Sequence, residues 1–359
     1  MIVLAGDVGG TNARLALVEL RGRALRVLGE RAYASPEYSG LAPIARAFLQ
    51  ETGARPERAC FGIAGPVVSG EVRTSNLPWV VNAAAVGDAI GLAHTSLIND
   101  LYATARGISR LGPHDFAALQ VGQPVGGGAR AVIAPGTGLG EAVLVRGGRG
   151  WRALASEGGH ASFAPRSQLE WELQQWLARR FGHVSNERIL SGPGLRDVYE
   201  FLAGRAGARE SAAVHADIAR EEAKAISRHA LAGSDQLCVE ALDLFCSVLG
   251  AVAGDLALIA LAQGGVFVAG GIPPHILPRL RRGPFLDAFR DKGRMSGLVE
   301  SMPVHVVVNE QVGLYGAALA AAEPRLRAVA GVTAAVEHPR PAAGGAAGDV
   351  PQPEIREQR

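Results

Sequence analysis

The chain opens with the stretch Ile2-Val3-Leu4-Ala5-Gly6-Asp7-Val8-Gly9-Gly10-Thr11-Asn12-Ala13-Arg14-Leu15-Ala16-Leu17-Val18, which decides the fold. Residues 2–5 are apolar, as in a buried strand, and residues 9–12 have the composition of a tight turn. Residues 14–18 return to a strand pattern. The stretch therefore predicts a β-hairpin rather than a strand that crosses over through a helix.

The turn of this hairpin suits nucleotide phosphates. Glycines lack a Cβ and adopt positive φ, so Gly9 and Gly10 let backbone N–H groups approach phosphate oxygens, and Thr11 adds a hydroxyl donor. Asp7 would repel a bare phosphate, which indicates a divalent cation between them and implies Mg²⁺. Taken alone, Gly9-Gly10 is explained equally well as a tight structural turn.

A second copy of the same design follows later in the chain. It consists of Ala131-Val132-Ile133-Ala134, then Pro135-Gly136-Thr137-Gly138-Leu139-Gly140, then Glu141-Ala142-Val143-Leu144-Val145. Two such hairpins facing across a cleft can hold a triphosphate from two lobes. Neither hairpin ends in the Gly-Lys-Ser/Thr of a P-loop, and no G-x-G-x-x-G opens a helix, which disfavours a dinucleotide dehydrogenase.

Two further segments offer groups for a hydroxylated substrate. Ser96-Leu97-Ile98-Asn99-Asp100 ends a strand before a helix, so Asp100 is the candidate general base, or simply an N-cap of that helix. Glu157 and His160 lie in a glycine-containing loop and suit the hydroxyls of a polyol. On spacing alone, Glu187 is expected to be solvated or salt-bridged.

Length and composition bound the remaining possibilities. A chain of 359 residues suggests two domains, and a net charge of +2 without a basic, aromatic-rich run argues against nucleic acid. Cys60, Cys238 and Cys246 lack C-x-x-C spacing, and the histidines form no ligand cluster, so no metal site of the protein's own is predicted. The start of the chain lacks a signal sequence and no apolar run reaches about 18 residues, so we expect a cytoplasmic protein without a membrane segment.

Helices and a tail complete the predicted organisation. Ser167-x-x-Glu170 predicts a capped helix with a core face, and a longer apolar helix that carries Ile259 is predicted over 239–262. A strand over 266–269 then ends in Gly270-Gly271. From about Val336 the composition of Pro, Ala, Gly and charge predicts disorder over 336–359.

Together these segments resemble the bacterial glucokinase family of the actin/hexokinase superfamily, from Gly6 to about Leu319. The resemblance rests on six blocks in order: 6–17, 98–100, 136–140, 157–160, Glu187-Arg188-Ile189-Leu190-Ser191-Gly192-Pro193-Gly194-Leu195, and Gly265-Val266-Phe267-Val268-Ala269-Gly270-Gly271-Ile272. It implies an α/β, two-lobed actin-like ATPase (ribonuclease H-like) fold. A small domain of 1–110 plus about 310–325 would close on a large domain of 111–309.

The resemblance also implies an activity, the phosphorylation of glucose at its 6-hydroxyl by ATP with Mg²⁺, in a homodimer. Asp100 would be the base. The residues expected to bind glucose are Asn99, Asp100, Glu157, His160 and Glu187. Those expected to bind ATP are Gly6, Asp7, Gly9, Gly10, Thr11, Asn12, Gly136, Thr137, Gly138, Gly270 and Gly271.

Some features depart from the family pattern, and rival functions are weighed against it. Pro135 has no N–H, so one phosphate donor is expected to be missing, and Glu141 stands where an apolar residue is common. A kinase for another hexose or an N-acylhexosamine of the ROK group would carry a cysteine-rich zinc motif, which is lacking. A sugar-responsive repressor would need an N-terminal helix-turn-helix, and a dead sensor would not need both Asp7 and Asp100. The sequence does not distinguish glucose from mannose or fructose as the acceptor, or ATP from ADP or polyphosphate as the phosphate donor.

Overall fold

A computed structural model gives the structure of residues 1–323, apart from 23, 75–76, 149, 206 and 208–210. The predicted disordered tail, 336–359, lies outside these described residues. The strands are β1 (Ile2–Val8), β2 (Asn12–Arg21), β3 (Ala24–Ala34), β4 (Arg58–Ile63), β5 (Val67–Val68), β6 (Glu71–Arg73), β7 (Val80–Asn82), β8 (Thr95–Asn99), β9 (Phe116–Gln120), β10 (Arg130–Pro135), β11 (Leu139–Gly147), β12 (Gly150–Ser156), β13 (Val266–Val268) and β14 (Val304–Val307).

The helices follow the same chain order. They are α1 (Leu41–Thr52), α2 (Ala83–Ile90), α3 (Asp100–Ile108), α4 (Gln168–Phe181), α5 (Gly192–Ala203), α6 (Ala212–Glu221), α7 (Ala223–Ala232), α8 (Gln236–Ala260), α9 (Leu277–Arg282), α10 (Phe285–Arg290), α11 (Ser296–Glu300) and α12 (Val312–Ala321). Short 3-10 turns lie at Gly158–His160 and Asn186–Arg188.

The first hairpin lies in a five-stranded sheet of order β3-β2-β1-β4-β8. The strands β1 and β2 pair antiparallel, whereas β1, β4 and β8 run parallel, with Asp7 opposite Gly62 and Ile63 opposite Asn99. Because the parallel strands end at one edge, the ends of β1 and β8 lie together. Side chains alternate, so Leu4 faces α1 while Val3 faces α3 and α12.

The second hairpin lies in a six-stranded sheet of order β12-β11-β10-β13-β14-β9. Ile133 faces the large core built with α4, α5, α7 and α8, whereas Val132 faces the core that contains α3 and α12. This double burial explains why β10 and β13 read as continuous apolar runs. Residues 67–82 add a small three-stranded sheet of order β5-β6-β7.

The helices α3 and α12 pack closely against each other on the five-stranded sheet, and α3 also contacts β11 and β12. Glycine permits this approach, because a Cβ on Gly107 would overlap the Val312 carbonyl and one on Gly316 would overlap the Ala103 carbonyl. The predicted return of the chain near 310–325 therefore places α12 beside β1. The domain boundaries stay a prediction.

Most of the predicted elements are confirmed. The Ser167 hydroxyl accepts from the Glu170 N–H at 3.2 Å and caps α4. The long apolar helix is α8, which begins three residues earlier than predicted and ends at Ala260. Ile259 continues the apolar pattern of this helix but is 83% exposed, because it lies in the last turn, beyond the core.

The expectation that no segment could span a membrane needs correction for the same helix. By length and composition α8 is apolar enough to cross a bilayer, but 72% of its apolar window is buried inside the fold. It contacts α5, α7 and α10 and lies at the centre of the helical layer that packs on one face of the six-stranded sheet.

Candidate active site

The turn of the first hairpin leaves backbone donors free. The Gly9 N–H bonds the Asn12 carbonyl at 2.9 Å, and Ser35 fixes the turn from outside through its hydroxyl bond to the Gly9 carbonyl at 2.9 Å. The N–H groups of Gly10 and Thr11 have no partner among the residues that the structure describes. These amides therefore form one candidate phosphate cradle, as predicted.

The second hairpin repeats this arrangement. The Gly136 N–H bonds the Gly138 carbonyl at 2.8 Å, which closes the turn. Within the described part of the chain, the N–H groups of Thr137 and Gly138 are without a partner. Gly270, at φ +88°, lies against Pro135, and a Cβ on it would approach the Pro135 carbonyl oxygen to 2.5 Å. The structure thus brings the Gly270-Gly271 loop beside the second hairpin.

The nitrogen of Pro135 faces β13 rather than the turn of the second hairpin, which argues against the expected loss of a phosphate donor there. In β10 the N–H groups of odd-numbered residues face β13, since Ala131 donates to the Gly265 carbonyl and Ile133 accepts from Ala269. The missing N–H of Pro135 therefore belongs to the ladder with β13, at the point where that strand has already ended at Val268.

Asp100 and its neighbour Asn99 share the start of α3. Asn99 is the N-cap: its side-chain oxygen accepts from the Tyr102 N–H at 3.0 Å, and its amide donates to the Gly65 carbonyl at 3.3 Å. The alternative reading of Asp100 as the cap is therefore wrong, because Asn99 fills that position. Asp100 is half-buried, and one of its oxygens accepts from the Leu101 N–H at 2.8 Å. Burial raises the pKa of Asp100.

Asp7 and Asp100 lie within electrostatic reach of each other. Burial and the Asp100 carboxylate raise the pKa of Asp7 to about 6, against a smaller opposite effect of Arg14. Gly313, at the start of α12, allows this placement, because a Cβ there would lie 2.8 Å from an Asp7 oxygen. Like charges held together in a half-buried position are typical of a site completed by a cation.

The three predicted hydroxyl-binding side chains are also brought together. His160 lies between two carboxylates, with Nε2 at 3.9 Å from Glu157 Oε2 and Nδ1 at 3.9 Å from Glu187 Oε1. The 3-10 turn of Gly158–His160 seats on the second hairpin, since a Cβ on Gly159 would overlap the Leu139 carbonyl. Glycine is required there by that close approach.

Glu187 connects this cluster to the phosphate-binding hairpin. Its Oε2 accepts from the Leu139 N–H at 2.8 Å, and a Cβ on Gly138 would lie 2.5 Å from the same oxygen. The prediction from spacing, that Glu187 is solvated or salt-bridged, holds in part: the side chain is 29% exposed and faces His160, but spacing does not indicate its bond to the hairpin. Its neighbour Asn186 donates its N–H to the Ala161 carbonyl, which fixes the second loop beside the first.

Glu141 is buried beneath the sugar-side loop, 6% exposed, opposite Ser156 on β12. A Cβ on Gly158 would overlap its carboxylate, so the loop lies directly on this side chain. Burial, with a smaller contribution from Asp255, raises the pKa of Glu141 to about 7. A glutamate is tolerated at this buried position because its carboxyl is more easily protonated than usual, and a neutral carboxyl costs less to bury than a charged one.

Sequence reasoning missed several supporting residues. The Ser35 hydroxyl bonds the first hairpin, Gly313 lies against Asp7, and Gly62 lies against Asp100. Leu101 packs against Gly140, where a Cβ would approach its side chain to 2.8 Å. In the sequence, Ser35, Gly62 and Gly313 are distinguished only by their small size, and small residues are too common to be selected on that ground. The contact of Leu101 with Gly140 joins the base to the second hairpin.

Comparison with known proteins identifies the family of this chain. The family model Glucokinase matches residues 4–324. A glucokinase of Synechocystis sp. is 42% identical over 89% of this chain and 98% of its own length. A glucokinase of Caulobacter vibrioides is 40% identical over 88% of this chain and 94% of its own.

Solved structures show the same architecture. Glucokinase from an Antarctic psychrotroph has a TM-score of 0.76 and 33% identity, covering 89% of this chain and 98% of that one. A ROK family glucokinase from Streptomyces griseus, in complex with glucose and AMPPNP, has a TM-score of 0.65 and 25% identity, with coverages of 89% and 99%. The predicted two-lobed actin-like ATPase fold is therefore confirmed. From the family model and the curated relatives together, the chain belongs to the glucokinase family.

Proposed function

We propose that this protein is a glucokinase that transfers the γ-phosphoryl group of ATP to the 6-hydroxyl of D-glucose. The observation that carries the proposal is the junction at Leu139-Gly140. There the second phosphate hairpin meets Asp100 through Leu101, and meets the hydroxyl-binding cluster through Glu187. An acceptor held by that cluster lies between a carboxylate base and the free amides of the hairpins.

Each hairpin contributes amides to the triphosphate. Gly10 and Thr11 donate from one side, and Thr137 and Gly138 from the other, because these N–H groups have no partner in the described structure. Gly6 and Asn12 flank the first turn, and Gly270 and Gly271 lie beside the second, where they take part in nucleotide binding. Small residues here exclude side chains from the path of the phosphates.

The sugar is held by groups suited to vicinal hydroxyls. Glu157 and Glu187 accept from hydroxyl protons, and His160 between them donates or accepts according to its tautomer. Asn99 contributes the amide hydrogen that its bond to Gly65 leaves over. These contacts orient the 6-hydroxyl toward Asp100.

Asp100 accepts the proton of the 6-hydroxyl as that oxygen forms its bond to the γ-phosphorus. The bond between the γ-phosphorus and the bridging oxygen breaks at the same time, ADP leaves with that oxygen, and the proton passes from Asp100 to solvent. The raised pKa of Asp100 serves this role, because a more basic carboxylate is a better proton acceptor.

Asp7 fits a Mg²⁺ ion carried with the nucleotide. Among the described residues, no group of three or more His, Cys, Asp or Glu side chains could hold a metal ion, so most ligands would be phosphate oxygens and waters, as Mg²⁺ prefers. When bound, the ion neutralises charge on the β- and γ-phosphates. Asp7 would hold it or its waters, and the repulsion between Asp7 and Asp100 would thereby be relieved.

The wider setting is part of the same proposal. Domains of 1–110 plus about 310–325, and of 111–309, close on each other, which the packing of α12 against β1 supports. The family resemblance supports a cytoplasmic homodimer that takes glucose and ATP, without a nucleic-acid or membrane partner. Light scattering of the purified chain tests the dimer.

The decisive experiment is Asp100→Asn, assayed for ADP release and glucose 6-phosphate formation with several sugars and phosphate donors. We expect kcat to fall by roughly 10²- to 10⁴-fold while glucose still binds, because the amide keeps the shape of the side chain but cannot accept the proton.

The exposed Asp88 provides the matched control, and Asp88→Asn should leave kcat unchanged. Near-normal turnover of Asp100→Asn would remove Asp100 from its role. If turnover with another hexose is well above turnover with glucose, the proposal that glucose is the substrate is wrong.

A further inference from the structure

A row of cationic and aromatic side chains lies at the opposite end of the six-stranded sheet from the active site. Arg130 begins β10, whose other end carries the phosphate hairpin, and Arg146 lies near the end of β11, opposite Trp151. Strand alternation puts Phe267 and His305 on the same face, beside Arg130.

The two arginines converge on one indole ring. The guanidinium carbon of Arg130 lies 4.0 Å from the ring centroid of Trp151, and that of Arg146 lies 5.7 Å from it. The two guanidinium carbons are therefore at most about 10 Å apart, so two positive charges lie close together at this end of the sheet. Stacking on the ring holds both planar groups in place.

Within the described ranges, no acidic side chain pairs with these two arginines. Neither the Arg130 nor the Arg146 side chain forms an ion pair or a hydrogen bond with another described residue. Burial and the neighbouring Arg146 lower the pKa of Arg130, and burial and Arg130 lower the pKa of His305. The three groups thus act on one another without a counter-charge.

Two buried nitrogens in this row are also unsatisfied. In the described part of the chain, three buried side-chain nitrogens lack a hydrogen-bond partner, and two of them are Arg130 Nε and His305 Nδ1. A buried donor left without a partner is destabilising. Such groups concentrate where a water or an ion completes the structure.

The arginines are reachable from solvent. Arg146 is exposed, and Arg130 and Trp151 are half-buried. The loop that leads into β10 is built of Gly126, Gly127 and Gly128, and a Cβ on Gly127 would lie 4.0 Å from Arg146 Cγ, so this loop itself places no side chain over Arg146.

We propose that Arg130 and Arg146, stacked on Trp151, form a second anion site, distinct from the nucleotide hairpins, that binds a small phosphate-bearing anion. Two guanidinium forks match the several oxygens and double charge of phosphate better than a single carboxylate. The anion is either inorganic phosphate or a phosphomonoester, since both present the same oxygens.

The test is a titration of the full-length protein with inorganic phosphate, and separately with glucose 6-phosphate, at constant ionic strength. Glucose and AMPPNP are present in excess to occupy the active site. Binding is followed by tryptophan fluorescence and by calorimetry. We expect a saturable change in fluorescence that Trp151→Phe abolishes, because the ligand changes the stacking on that ring. The ligand with the lower Kd identifies the form of phosphate.

Arg146→Gln should raise the Kd at least about tenfold, as expected for loss of a charge-assisted contact. Arg152→Gln is the matched control, because Arg152 is exposed on the next strand but points to the other face, and its Kd should equal that of the wild type. No saturable binding, or equal Kd values in the wild type and Arg146→Gln, would overturn the proposal. Since Arg146 is exposed, its replacement does not threaten folding.

Discussion

Replacing Asp7 by asparagine should stabilise the protein while impairing its activity. Without a bound cation, the folded chain holds the Asp7 carboxyl near the carboxylate of Asp100, and its pKa is raised to about 6. The ordinary pKa of an unfolded aspartate is about 3.9. Ionising Asp7 at neutral pH is therefore harder in the folded state, and asparagine removes that cost.

The size of the gain depends on pH in a defined direction. Below the unfolded pKa both states carry the proton, so Asp7 has no effect on stability. As pH rises from about 4 through about 6, the unfolded chain loses the proton first, and the stability of the wild type falls. The gain from Asp7→Asn should be about 3 kcal/mol near pH 7.5 and about half of that near pH 5.

Urea unfolding of both proteins at several pH values, without nucleotide or magnesium, measures this gain. The exposed Asp291 provides a control, and Asp291→Asn should show no comparable gain. A gain that is absent, or that is equal at both pH values, would refute the linkage between Asp7 ionisation and stability. Added Mg²⁺ with ATP should narrow the difference, because the cation stabilises the ionised wild type.

Three other substitutions probe the site. Glu187→Ala should raise KM for both glucose and ATP about tenfold or more, since one carboxylate serves the sugar cluster and the Leu139 N–H; a change in glucose KM alone would contradict this. Gly159→Ala should raise glucose KM strongly through overlap with the Leu139 carbonyl, whereas Gly297→Ala, which meets no atom within 4 Å, should be neutral in the same assay. Pro135→Gly should leave ATP KM within about twofold of the wild type. A marked fall in that KM would show that the proline does remove a phosphate donor.

The hairpins and the sugar cluster could be predicted because their chemistry is local. Glycine and threonine in a short turn between apolar runs fix both the hairpin and its free amides within a few residues. The Glu157 to His160 loop is likewise contiguous. The family resemblance adds the glucose-binding role proposed for Glu187, which spacing alone does not indicate.

The errors concern contacts between segments distant in sequence. The bond from Leu139 to Glu187 joins residues 48 positions apart, and nothing in either segment announces it. The effect of Pro135 depends on which neighbouring strand its nitrogen faces, a matter of sheet register. Ile259 continues a helical pattern correctly, but the pattern does not show where the core ends.

The hydrogen bond between Glu187 and the Leu139 N–H has a thermodynamic consequence for the two substrates. If Glu187 binds the sugar and the second hairpin binds the nucleotide, as proposed, the free energies of binding the two substrates are not independent. Linkage requires the effect to be mutual: whatever factor glucose contributes to ATP affinity, ATP returns to glucose. The preference among sugars can then be measured as a change in affinity for the nucleotide, without phosphoryl transfer.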